Sequence, residues 1–224
     1  MKKAIRLALC CLLAFFLVSC SAFSDPSPAQ TVENEPVLAV LSDEADASLA
    51  CRKILEMIAS DALVFAEFDD PRSAADGCRD RILASLLATG YSKYTGNTEK
   101  IAAAERMYPK LRISMVIPAT DFENTVYTSF GGSKSVYHRD GNAFFYLTKI
   151  GGYTLSGQAP AGADRVVLLS VRETEHGYLA DFYAEKGIRS SPLYTGVFVK
   201  REDASVYLAR IRRIADAKII VPSE

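Results

Sequence analysis

The sequence predicts an α+β fold in which three N-terminal helices pack on a curved, mainly antiparallel sheet of about six strands. Three observations lead there. Apolar residues between positions 44 and 108 recur at the three-to-four spacing that lines one face of a helix. Beyond Pro109 the period shortens towards two, in runs rich in β-branched and aromatic residues. Short polar turns separate those runs, and such turns join antiparallel neighbours. Helices first and strands afterwards segregate the two kinds of element, which distinguishes α+β from an alternating α/β chain.

The first helix is expected over residues 44–65, with Cys51, Ile54, Leu55, Ile58, Ala62 and Phe65 on its apolar face and Ser42 or Asp43 as its cap. Asp69-Asp70-Pro71 ends it. Ser73-Ala74-Ala75-Asp76 then resembles a capping box with Asp in place of the usual Glu. The second helix carries Cys78, Ile82, Leu83, Leu86 and Leu87 on one face and stops at Gly90. A third fits residues 98–108, capped by Asn97 and closed by Pro109.

The strand-like part opens with residues 111–117. Residues 136–147 follow, bisected by Asp140-Gly141, a strong hairpin signal. Residues 166–171 and 178–184 flank the turn Glu175-His176-Gly177, and residues 194–200 and 206–214 flank Glu202-Asp203. No internal repeat and no second domain boundary stand out, so residues 43–224 form one expected domain.

The N-terminus carries a different signal. Lys2, Lys3 and Arg6 precede an apolar run over residues 7–18, the length of a secretory core and short of the roughly 20 residues that span a bilayer. Leu17-Val18-Ser19-Cys20 closes it. Charge, length and spacing together resemble a bacterial lipoprotein signal peptide ending in a lipobox. The resemblance implies a signal peptide over residues 1–19, diacylglycerol on the Cys20 sulfur and cleavage before Cys20. Two or more acyl chains anchor a protein stably where one does not. Residues 20–42, interrupted by Pro26, Pro28 and Pro36 and free of basic residues, read as a lipidated tether. The expected address is the cell membrane, lipid-anchored and extracytoplasmic.

Composition bounds the partners. The chain has 26 Lys and Arg against 27 Asp and Glu, and losing Lys2, Lys3 and Arg6 leaves a mature charge of −4. Such a chain has no general pull on nucleic acid. Cys51 and Cys78 remain beyond the anchor. If the first two helices form an antiparallel hairpin, the two sulfurs lie about 11 residues, or roughly 16 Å, apart along the axis. A disulfide needs Cα atoms within about 7 Å, so two free, buried thiols are expected.

The search for chemistry finds little. His138 and His176 each neighbour a turn, where an exposed hairpin residue is the plain reading and a general base the sharper one. No cysteine or histidine pair has zinc-site spacing, and no calcium loop is present, so neither metal nor cofactor is expected. Gly132-Ser133-Lys134 matches neither a nucleophile elbow nor a phosphate loop; Gly131 and Gly132 read as a turn at positive φ. Arg210 and Arg212 share one side of the final strand.

The richest segment is 127–153. Read as alternating strands, it sends half its rings into the core and half outwards, with Tyr127, Phe130, Tyr137, His138, Arg139, Tyr146 and Tyr153 as the candidate binding surface. Catalytic residues are not assigned. The expected function is a non-catalytic ligand- or partner-binding module of the cell envelope, taking a small molecule, a wall fragment or another envelope protein. The element order over residues 44–215 also resembles the NTF2-like and cystatin-like group, although no strands are evident between its second and third helices. That resemblance implies an alternative, a small-molecule enzyme using His, Tyr or Asp for proton transfer. A structural role in envelope assembly is the third reading.

Overall fold

The computed structural model describes residues 46–132 and 136–214, all within the second of two units, Leu38–Glu224. Cys20, the signal segment, the tether and the expected first cap lie outside the described residues. The fold is α+β with an antiparallel sheet, as expected. Among the described residues there are five helices: α1 (Asp46–Ile58), α2 (Pro71–Thr89), α3 (Tyr91–Thr95), α4 (Thr98–Met107) and α5 (Ala119–Phe130). The strands are β1 (Ile117–Pro118), β2 (Phe144–Leu147), β3 (Gly152–Leu155), β4 (Arg165–Thr174), β5 (Gly177–Lys186), β6 (Arg189–Ser190), β7 (Tyr194–Lys200) and β8 (Val206–Arg213).

Helix α1 buries Ser48, Cys51, Leu55 and Ile58 on one face and ends there, not at Phe65. The chain beyond it is drawn to the sheet. Ser60 bridges Gly162, and Phe68 bridges Ile211 through two backbone hydrogen bonds of 3.3 and 3.0 Å. Leu63 takes a left-handed φ of 57°, which no helix continues. Phe65 still enters the core, edge-on to Phe182 at 5.0 Å and to Tyr194 at 5.1 Å, while Ala62 faces solvent. Sheet pairing replaced the helical turn at this point, and the apolar spacing of the sequence is compatible with both.

The start of α2 is also corrected. Asp70 is the cap: its Oδ1 accepts from Arg72 N at 2.9 Å and Ser73 N at 3.0 Å, with Pro71 at the first helical position. Those hydrogen bonds, with that of the Ser73 hydroxyl foremost, hold the Asp70 carboxyl below its usual range. Asp76 closes no capping box and pairs with Arg79 instead. Gly90 ends the helix as expected, its N–H donating to Leu86 O at 2.8 Å. Asn97 caps α4 through Lys100 N at 3.1 Å.

Strand order in the larger sheet is β4-β5-β7-β8, with β6 beside β5. Every pairing is antiparallel, and the two expected hairpins are present. Its inner face buries Val166, Leu168, Phe182, Phe198, Leu208 and Ile211 against α1 and α5. A second, three-stranded sheet runs β1-β3-β2. Only its β2 half of the expected hairpin around Asp140-Gly141 exists, because residues 136–143 form no strand. Residues 111–116 likewise pair with nothing in a ladder; Ile113 and Val116 pack with Ala104 and Leu147 in a small cluster of their own.

The sequence reading missed α5. Ala119, Phe122, Val126 and Phe130 are buried at three-to-four spacing just after Pro118, the pattern of a helix laid on a sheet. Gly131 and Gly132, at φ of 73° and 78°, then turn the chain away. Cys51 and Cys78 are free and buried.

Candidate functional site

Residues 136–143 organise the candidate site. Without a strand partner, this segment is held by side chains of α2 and α5. Asp80 on α2 accepts from Asn142 N at 2.7 Å and Ala143 N at 3.1 Å through one oxygen. Gly141 leaves room for this contact, since a Cβ would come within 1.9 Å of Asp80 Oδ1 and the carboxylate would have to shift. Arg79, 3% exposed, donates to Asp76 at 2.5 Å and to the Tyr137 carbonyl at 3.2 Å. Asp140 turns back and accepts from Tyr146 N at 2.8 Å.

His138 is the third fastening. Its Nε2 lies 2.9 Å from Glu123 Oε1 on α5, and its Nδ1 lies 2.8 Å from the Tyr153 hydroxyl on β3. An ionised carboxylate only accepts, which assigns the proton of the neutral ring to Nε2 and leaves Nδ1 to accept from Tyr153 O–H. The ring stacks on Tyr146 at 4.8 Å and 15°. Tyr153 is fully buried; burial pushes its phenol up to about 12, and the Arg79 guanidinium draws it only partly back. Both imidazole nitrogens are therefore committed to the protein. A general base needs a nitrogen open to its substrate. His176, at the β4–β5 turn, is 81% exposed, with Glu175 at 3.9 Å beside it.

The seven residues of the candidate surface fall into separate environments. His138, Tyr146 and Tyr153 come together in the network just described. Phe130 is fully buried, edge-on to Phe68 at 5.6 Å, and Tyr153 is buried too; neither is a surface ring, because helical rather than strand geometry turns Phe130 inwards and β3 lies in the core. Tyr127 sits under the Arg201 guanidinium at 5.4 Å, and its carbonyl accepts from the same group at 2.6 Å. Arg139 lies 3.6 Å from Asp76. Tyr137 alone offers an open ring, 63% exposed.

Two clefts border the segment. One, of about 570 Å³, is lined by Tyr137, Val136, Val126, Ala75, Pro71 and Arg72 among others. The second, of about 600 Å³, is polar and takes Arg139 and the loop that follows it. No group of three or more His, Cys, Asp or Glu among the described residues is placed to hold a metal ion.

Glu123, Arg79 and Asp80 were not foreseen. Arg79 carried a signal: it stands on the buried face of α2, between Ala75 and Ile82, with Asp76 three residues before it. A charge placed there requires built-in partners. The chain matches no family model, no curated protein and no solved structure.

Proposed function

We propose that this chain is an extracytoplasmic lipoprotein, anchored through lipid on Cys20, whose folded part is a non-catalytic module binding a ligand beside Tyr137. The observation that carries the binding reading is the exposed Tyr137 ring at the mouth of a half-apolar cleft of about 570 Å³. Exposed tyrosine against Val126, Val136, Pro71 and Ala75 suits a planar or apolar group of a small molecule, wall fragment or envelope partner. Arg72 and Asp70 at the rim supply polar orientation. The commitment of both His138 nitrogens favours binding over the NTF2-like enzyme reading, in which that imidazole would move a proton. An assembly role without a ligand is less well supported, because it leaves the open ring unused.

Among the described residues no helix is long and apolar enough to cross a membrane. The anchor therefore rests on the lipobox. Replacing Cys20 with Ser should abolish acylation and release the chain from washed membranes; an unchanged mass and unchanged partitioning would end the tethering reading. For the cleft, the full chain in detergent is incubated with fractionated envelope extract, and retained molecules are identified by mass spectrometry. Tyr137→Ala should keep the melting temperature and lose the retained species. Equal retention by a folded Tyr137→Ala variant would reject the site.

A further inference from the structure

Cations gather on one small lobe of the molecule. Residues 97–113 and 147–151 carry five of them, Lys100, Arg106, Lys110, Arg112 and Lys149, against two carboxylates, Glu99 and Glu105. The lobe's net charge is +3 on a chain whose mature total is −4, so the remainder carries −7. All five cationic side chains are exposed, and none has a hydrogen bond or a carboxylate partner among the described residues. Elsewhere the usual pattern is the reverse: Arg79, Arg165, Arg172 and Lys186 each hold a carboxylate.

Packing fixes these charges on one body. Ala104 of α4, Ile113, Val116 and Leu147 form a cluster of their own, with Ile101, Tyr108 and Leu111 against it. The Tyr108 hydroxyl lies 3.2 Å from Thr148 Oγ1 and accepts from Lys149 N at 2.9 Å, which ties the β2–β3 turn to the end of α4. Lys149 therefore stands beside the stretch 106–112 that carries Arg106, Lys110 and Arg112. Met107 lies within that stretch and is 47% exposed.

Two properties of the lobe select its partner. At physiological salt the field of a charge fades within about 8 Å, so an approaching surface reads the lobe and not the total charge. Lys and Arg stems lie along apolar surface while their heads stay polar, and methionine is a flexible apolar side chain able to enter a headgroup layer. We propose that this lobe docks on the anionic phospholipid headgroups of a membrane, with Met107 at the contact and the five cations on the phosphates. Lipid on Cys20 keeps such a surface at hand; to that extent the proposal rests on the anchor reading, and docking then fixes which way the domain faces. A single-stranded nucleic acid calls for exposed rings on which bases stack. The exposed apolar side chain of α4 is Met107, and Tyr108 is half-buried with its hydroxyl bonded.

The test uses the full chain, reconstituted into vesicles of phosphatidylcholine alone or with about a third phosphatidylglycerol, each doped with a headgroup-nitroxide lipid. A fluorophore is placed at Met107→Cys or, as reference, at the exposed turn position His176→Cys; Cys51 and Cys78 are buried. Flotation with the neutral vesicles reads the anchor, and quenching reads the lobe. Anionic lipid should quench the Met107→Cys label at least about threefold more than neutral lipid does, and about 0.5 M NaCl should reverse the gain, while the His176→Cys label stays unquenched. Lys110→Glu with Arg112→Glu turns the lobe's charge from +3 to −1 and should abolish the gain. Lys53→Glu with Arg210→Glu, the same change in charge at exposed positions elsewhere, should leave it. Melting temperature must be unchanged in both pairs; if the first melts lower, Lys100→Glu with Lys149→Glu takes its place. Equal quenching in both vesicles, quenching of the His176→Cys label instead, equal loss in both charge-reversed pairs, or tighter binding of DNA than of the anionic vesicles overturns the proposal. If the chain does not float with neutral vesicles, the anchor reading fails alone; the lobe is then read from flotation with the anionic ones, where no binding overturns it.

Discussion

Single residues show how far this fold goes to keep ionisable groups either bonded or neutral. Cys51 and Cys78 have no bonding role that needs a thiolate, and burial pushes both thiols up to about 12. An unfolded cysteine ionises near 8.5. Both thiols are neutral in either state below that pH, so their contribution to stability is complete there. As pH rises from about 8.5 towards 12, only the unfolded chain ionises, and stability falls. Iodoacetamide at pH 8.5, with modification mapped by mass spectrometry, should label Cys51 and Cys78 at least about a hundredfold more slowly in the native protein than in urea. Equal rates would mean that the core around α1 and α2 opens readily. His138 follows a different strategy. It is held by Glu123 and Tyr153 and stacked on Tyr146, so it serves as a rivet for residues 136–143.

Among elements, residues 136–143 and helix α2 depend on each other. The loop has no ladder of its own, and Asp80 supplies two of the hydrogen bonds that a partner strand would have given. Gly141→Ala places a methyl group against Asp80 Oδ1 and should destabilise the protein by about 1–3 kcal/mol, with faster hydrogen exchange at the Asn142 and Ala143 amides. Unchanged exchange at those amides would show that the clamp is not what holds the loop. At the other end of α5, Arg201 from the β7–β8 turn donates to the carbonyls of Tyr127 and Thr128 at 2.6 and 3.0 Å, closing the last turn of that helix. These two fastenings explain why the sequence misled here. Asp140-Gly141 is a sound hairpin signal, and Gly141 N does donate to Phe144 O at 2.8 Å. Yet the turn is completed by a residue of a helix, Asp80, lying 62 and 63 positions before its two donors, which no local pattern encodes. The β4–β5 and β7–β8 hairpins were legible because alternation and turn chemistry lie within one stretch of chain. Helix α5 was legible in its spacing after Pro118, but Thr120, Thr125, Tyr127 and Thr128 favour strand. The candidate site was legible in Tyr137, His138, Arg139, Tyr146 and Tyr153; its charged partners come from α2 and α5 and become neighbours only through tertiary packing.

At the scale of the molecule, one core joins both halves of the sequence. Phe65, from the segment after α1, packs against Phe182 of β5 and Tyr194 of β7. Phe182 is fully buried at the centre of that contact. Phe182→Ala should cost about 3–5 kcal/mol in urea denaturation, and the loss should appear in α1 as well as in the sheet, as one cooperative transition. Separate transitions for helix and sheet signals would divide the core in two.

The lacing of residues 59–68 onto the last strands has a temporal side. Phe65 N bonds Tyr194 across 129 positions, and Glu67 bonds Arg213 N across 146. An emerging chain makes its early helices long before it makes the strands that complete them. Closure across such sequence distances is slow, and the nascent form exposes its aromatics while it waits. The native state is therefore reached only once residue 213 has been made, long after the early helices.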